Sequence, residues 1–215
     1  MKIHRTINKI AFENTYYLEN DQALILVDPG SDKEVIERKL TDLKKTVKAI
    51  LLTHTHYDHI MSLEYFRQLL DYPPVYVSEK EASWLYQPKD NLSGLARHDD
   101  LPDVICQPAD HFFQTQKNYD ISDFHFYVLE TPGHSIGSLS FVFPEDHLVL
   151  TGDALFKETI GRCDLPTGDF ATLIQSIEKE LMTLPSHYQV YPGHGSSTSI
   201  HHERLFNPYL QGGQA

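Results

Sequence analysis

Cysteine is nearly missing from this 215-residue chain: Cys106 and Cys163 are its only two, far apart and outside any C-x-x-C spacing. That excludes a disulfide framework and a thiolate zinc site, and leaves two reduced thiols as the simplest reading. Basic charge is scarce as well, with eighteen Lys and Arg against thirty Asp and Glu and a formal net charge of -12. Such a chain repels polyanions, whereas nucleic-acid binders neutralise phosphates with basic side chains, so no nucleic-acid partner is expected. Long apolar runs are absent too. None approaches the roughly 20 residues of a membrane span, and Met1-Lys2-Ile3-His4-Arg5 leads into no secretory segment. The expectation is a cytoplasmic protein with no membrane partner.

What is present suffices for a sizeable core, at 40% apolar and 11% aromatic content. One domain over residues 1–215 is expected. The run Ala23-Leu24-Ile25-Leu26-Val27, closed by Asp28-Pro29-Gly30, suits a strand buried on both faces and ended by a turn. A helix follows, capped by Ser31 or Asp32, with Ile36, Leu40 and Leu43 on one face. Val47–Thr53 is again apolar, and the segment after it leads into one amphipathic helix bearing Ile60, Leu63, Phe66 and Leu70. Val75–Ser78 reads as a strand and Glu79–Tyr86 as a short helix with the only tryptophan, Trp84; residues 87–118 read as loops with one or two short strands. Further on, Phe124–Glu130, Ser138–Phe143, His147–Leu150 and Gln189–Tyr191 are strand-like. A helix over Asp169–Leu184 buries Leu173, Ile177, Leu181 and Leu184 and stops at Pro185, and a short helix from Ile200 breaks at Asn207-Pro208. Gly212-Gly213 should fray. Strands interleaved with helices in both halves imply sheets flanked by helices, an α/β layered architecture.

The chemistry concentrates in Thr53-His54-Thr55-His56-Tyr57-Asp58-His59, four metal-ligand side chains in six residues directly after an apolar strand. The carboxyl end of a strand is the edge of an α/β sheet where ligands usually sit. Two-residue spacing on an extended loop points His54 and His56 to one side, towards one divalent ion, while Asp58 and His59 at the turn into the helix face a second. Equivalent places hold His134 in Pro132-Gly133-His134, Asp153 in Thr151-Gly152-Asp153 and His194 in Pro192-Gly193-His194. Glycine beside each permits the tight turn that aims a ligand into a cleft.

These motifs together resemble the metal signature of the metallo-β-lactamase superfamily. The resemblance implies an αββα sandwich of two mixed β-sheets flanked by helices. It also implies two divalent metal ions, zinc first and iron or manganese as alternatives: His54, His56 and His134 on one, Asp58, His59 and His194 on the other, Asp153 bridging. Gly152-Asp153-Ala154-Leu155-Phe156, Ile160-Gly161-Arg162-Cys163-Asp164-Leu165-Pro166 and the tail Glu203–Leu210 resemble the glyoxalase-II-like (hydroxyacylglutathione hydrolase-like) branch. The implied activity is thioester hydrolysis on a small-molecule substrate. Competing activities within the superfamily are a mononuclear iron persulfide dioxygenase and a lactonase or phosphodiesterase.

Two cations sharing one water lower its pKa and ready it to attack a carbonyl carbon, with Asp58 as the catalytic residue that orients it. A thiolate, with a conjugate-acid pKa near 8.5, leaves without a strong general acid, and the sequence offers no obvious extra acid. Tyr57, Lys157 and Arg162 are the candidate substrate contacts. Lys157 has a solvated alternative, and Arg162 has ion pairing with Asp164 or Asp169. Asp28 is either a turn residue or the partner that fixes a ligand imidazole.

Overall fold

The structure is a computed structural model, described for residues 1–96 and 100–211. Gly212 and Gly213, where fraying is expected, lie outside the described residues, as do residues 97–99 of the loop region. The chain divides into two compact units, Met1–Phe113 with Ile121–Phe124, and Gln114–Asp120 with the chain from His125 onward. Among the described residues no helix is long and apolar enough to cross a membrane.

The first unit is built on six strands that neighbour one another in chain order: β1 (Lys2–Ile7), β2 (Asn14–Glu19), β3 (Ala23–Val27), β4 (Thr46–Leu51), β5 (Val75–Val77) and β6 (His111–Phe112). β1 to β3 pair antiparallel and β3 to β6 parallel. β3 is buried along its whole length, as an apolar run without alternation requires. β1 and β2 carry no such signal, because β1 is half exposed and β2 buries the polar Asn14 and Thr15 beside Tyr17 and Leu18.

Helix α1 (Lys33–Leu43) buries Ile36 and Leu40, but neither predicted side chain caps it. Asp32 Oδ2 accepts from the Lys9 backbone N–H and Ser31 Oγ from Ile10, so both tie the preceding loop to the helix start. The single helix expected after the His-rich segment is two, α2 (Tyr57–Ile60) and α3 (Leu63–Leu69). The break has a local cause: the Ser62 N–H donates to Pro29 O at 3.1 Å rather than into the helix, and Ser62 O then starts α3 by accepting from Phe66. Ile36, Leu40, Ile60, Leu63 and Phe66 pack with Leu24, Leu26, Ile50, Val75 and Val77 of the sheet in one cluster. Each fully buried side chain of this kind contributes roughly 1.5–3 kcal/mol.

The second unit carries β7 (Asn118–Ile121), β8 (Phe124–Glu130), β9 (Leu139–Phe143), β10 (Leu148–Gly152), a small hairpin of β11 (Leu155–Phe156) and β12 (Thr159–Ile160), then β13 (Gln189–Pro192) and β14 (Thr198–Ser199). Its main sheet runs β14-β13-β10-β9-β8-β7. Helix α4 (Phe170–Ser176) starts where Asp169 Oδ1 accepts from the Thr172 N–H at 2.7 Å. The α-helix expected to continue to Leu184 gives way to a π-helical turn over Ile177–Leu181, in which Met182 N–H reaches back five residues to Ile177 O. Leu173, Ile177, Leu181 and Leu184 nonetheless form one buried row against Val142, Val149 and Val190. Helix α5 (Ile200–Phe206) ends at Asn207, before Pro208.

One surface network gives a pH prediction. At the end of β2, Glu19 accepts from Lys45 Nζ and His4 Nε2, both at 2.7 Å. The hydrogen bond from Lys45, then that from His4, holds its carboxyl at about 2 rather than 4.5. A carboxylate depressed in the folded state stabilises fully above its unfolded value and loses that contribution as pH falls through the folded one. Glu19→Gln should therefore cost about 1 kcal/mol in urea melts at neutral pH. The difference from wild type should shrink towards zero in strong acid; a difference independent of pH would contradict the assignment.

Candidate metal centre

In the first unit, strand direction brings the predicted ligands to one sheet edge. β3, β4 and β5 are parallel, so Asp28, the His54–His59 segment and Ser78–Glu81 all follow carboxyl ends at that edge. β2 is antiparallel to β3, so its amino end, with Glu13 just before it, lies there too. His54 and His56 occupy the loop after β4, and Asp58 and His59 the first turn of α2; all four are buried. The His54 ring centre lies 4.7 Å from that of His56 and 4.1 Å from that of His59, and His59 Nε2 is 3.9 Å from Asp58 Oδ2.

Asp28 supports this cluster. It holds φ +49°, a left-handed conformation that aspartate tolerates better than most residues. Its Oδ1 accepts from Thr53 N–H at 2.8 Å, and Oδ2 from Thr53 Oγ1 at 2.6 Å and His59 Nδ1 at 3.0 Å. With its proton given to Asp28, Thr53 Oγ1 can accept from His54 Nδ1, 3.2 Å away. Both imidazoles thus spend Nδ1–H on an oxygen and keep Nε2 as a lone-pair donor, the arrangement that metal-binding histidines adopt. Asp28 is thus a turn residue that also holds the imidazole of His59.

Two buried carboxylates here were invisible in the sequence. Glu13 Oε1 lies 3.9 Å from His59 Nδ1, its Oε2 accepts from Asn8 Nδ2 at 2.6 Å, and with Asp28 and His59 it groups ligand-type atoms within 4.8 Å. A Cβ at Gly30 would meet Glu13 Oε2 at 2.0 Å, so Gly30 is what leaves room for this carboxylate. Glu81, in the 3-10 helix Glu79–Tyr86, holds Thr55. Neither sits in a motif, and only the pairing of β2 with β3 or the return of the chain after β5 brings them in.

In the second unit the same logic holds. β8 and β10 each pair antiparallel with β9, and β13 pairs parallel with β10, so β8, β10 and β13 run the same way. His134, Asp153 and His194 follow their carboxyl ends. Asp153 Oδ2 lies 3.5 Å from His134 Nε2 and 3.2 Å from His194 Nε2. His134 Nδ1–H donates to Arg162 O at 2.8 Å, again leaving Nε2 as the donor atom. Gly133, at φ +126° with Leu173 N 2.3 Å from a hypothetical Cβ, makes the turn that aims His134 possible.

The predicted substrate contacts separate. Tyr57 packs against the core of the first unit, and its N–H donates to Asn91 O. Lys157 is exposed at the tip of the β11–β12 hairpin. Arg162, also exposed, makes a bidentate pair with Asp164, both bonds 2.7 Å. Cys163 is no nucleophile at rest, since burial raises its thiol pKa and Asp169 and Asp164 add to the shift.

The model of the metallo-β-lactamase superfamily matches residues 10–194. The chain belongs to this superfamily. A probable metallo-hydrolase of Streptococcus pyogenes serotype M6 is 62% identical to it over 98% of this chain and 90% of that protein. The hydroxyacylglutathione hydrolase GloC of Haemophilus influenzae is 32% identical over 89% of each. Among solved structures, the B3 metallo-β-lactamase BLEG-1 is 37% identical, with a TM-score of 0.93 over 98% of this chain and 100% of that one. The protein TTHA1623, solved in a di-iron-bound form, is 31% identical, with a TM-score of 0.82 over 96% and 100%. The superfamily fold of two mixed sheets with flanking helices accords with the sheets and helices of the two units. The donors also fit a metal: imidazole nitrogens and carboxylate oxygens suit zinc, iron or manganese alike, and three imidazoles have Nδ1 engaged by oxygen.

Proposed function

We propose that this chain is a dinuclear metal-dependent hydrolase that cleaves thioesters. In this reading His54, His56 and His134 hold one divalent ion, Asp58, His59 and His194 hold the other, and Asp153 bridges. The observation that carries it is the engagement of Nδ1 by Thr53, Asp28 and Arg162 on three separate ligand imidazoles. A surface histidine has no use for such a partner, whereas a metal ligand needs its tautomer fixed.

When bound, the ions would supply Lewis acidity and a water of lowered pKa. The protein does the positioning. Asp58, 8% exposed in the first turn of α2, would orient the attacking water through its carboxylate. Asp28 holds His59 Nδ1, and Glu13 adds a second carboxylate behind it. A thiolate leaving group, stable near neutrality, needs no dedicated acid. Lys157 and Arg162 attract an anionic arm of the substrate from exposed positions, and Tyr57 lines its entry. Two free thiols, Cys106 pushed up to about 12 by burial, suit a reducing cytoplasm. The glyoxalase-II-like motifs and the resemblance to GloC support a thioester over other esters.

A panel of lactoylglutathione, simpler thioesters, a lactone, a phosphodiester and a β-lactam, assayed on one preparation, tests this. Thioesters should turn over fastest by kcat/KM, and chelation should abolish the activity. Preferential β-lactam cleavage, or oxygen uptake on a glutathione persulfide with one iron per chain, would overturn the thioesterase reading.

A further inference from the structure

We propose that Glu81 is a positioning residue for the metal-binding loop, and that the segment from Glu79 to Asn91 clamps that loop in its ligating shape. The inference rests on the metal-centre reading above. Thr55 stands between His54 and His56, so whatever fixes its backbone fixes the direction of both imidazoles. Glu81 does this from full burial: Oε2 accepts from Thr55 N–H at 2.9 Å and from Thr55 Oγ1 at 3.2 Å, and Glu81 O lies 3.4 Å from the same hydroxyl. A buried carboxylate is costly unless bonded, and its charge-assisted bonds are about twice as strong as neutral ones. The same helix places Trp84 in a stack with His56, ring centres 6.1 Å apart at 16°. The first residue of α2 is held as well, Tyr57 N–H donating to Asn91 O at 2.9 Å. Asn91 is itself fixed, its side-chain amide donating to Trp84 O and Val104 O, both at 2.9 Å. Three consecutive residues, Thr55 to Tyr57, are therefore each gripped by one segment that supplies no proposed ligand of its own. Ligands ordered beforehand spare the ion the entropy of ordering them.

The test is metal affinity, measured on the full chain by competition between a chelator and Co2+ or Zn2+, with Trp84, the only tryptophan, as the fluorescent reporter. Glu81→Ala should weaken binding about ten- to a hundredfold. Glu81→Gln, whose amide oxygen still accepts from Thr55, should recover most of it. Leu40→Ala, in α1 and apart from the loop, should lower the melting temperature without changing affinity. Wild-type affinity in Glu81→Ala, or an equal loss in Leu40→Ala, would overturn the clamp while leaving the metal centre standing. Should Glu81→Ala not fold, Glu81→Asp decides in its place: it keeps the charge but falls short of Thr55, and undiminished affinity would overturn the proposal. Wild-type protein that binds no metal would overturn the metal centre and the clamp together.

Discussion

Asp153→Asn should reduce thioester turnover by about a thousandfold or more, roughly 4 kcal/mol of lost transition-state stabilisation. The size follows from the place of its Oδ2, between His134 Nε2 at 3.5 Å and His194 Nε2 at 3.2 Å. Asparagine keeps the shape but removes a negative charge that the proposed ions would use, so metal content should fall along with activity. The far-ultraviolet circular dichroism should not change, because Asp153 lies beyond the end of β10 and belongs to no ladder. Turnover within tenfold of wild type at full metal content would show that Asp153 does not bridge.

Gly161→Ala should be strongly damaging in the second unit. A Cβ there would stand 1.8 Å from Asp153 O and 3.3 Å from His134 Cβ. The first neighbour is backbone and cannot rotate away, so either the β11–β12 hairpin or the Asp153 turn must move. Overpacking of this kind costs typically 1–3 kcal/mol, and about 3 or more is expected where backbone is struck. The atoms displaced belong to two proposed ligands, so metal affinity should fall as well. Gly195→Ala is the natural comparison: φ is +75° but nothing lies within 4 Å of the new methyl, so it should cost only the backbone strain, about 1 kcal/mol. Equal losses in the two variants would show that crowding against Asp153 costs no more than the backbone strain at Gly195.

β3 and β10 were legible because strands buried on both faces must be continuous apolar runs, and Leu173, Ile177 and Leu181 declared a helical face by their spacing. β1 and β2 were not, since β2 hides a supporting network of Asn14, Thr15 and Glu13 inside the fold, and buried polar residues read as loop. The split between α2 and α3 was equally hidden. It depends on a hydrogen bond from Ser62 to Pro29, distant in sequence. Metal-ligand candidates announce themselves because few residue types can do that work and each must follow a strand end. Their supports do not: Glu81 has the composition of any helix surface, and only the position of Thr55 makes it matter. Substrate preference is the least legible, because exposed Lys157 and Arg162 carry no pattern that distinguishes a contact from a solvated charge.

The most direct test of the account is a titration of metal-free protein with Zn2+ while lactoylglutathione hydrolysis is followed. Activity should be absent at the start and rise until two equivalents per chain are bound. Activity already present without metal, or complete after a single equivalent, would contradict a dinuclear centre built from these seven residues.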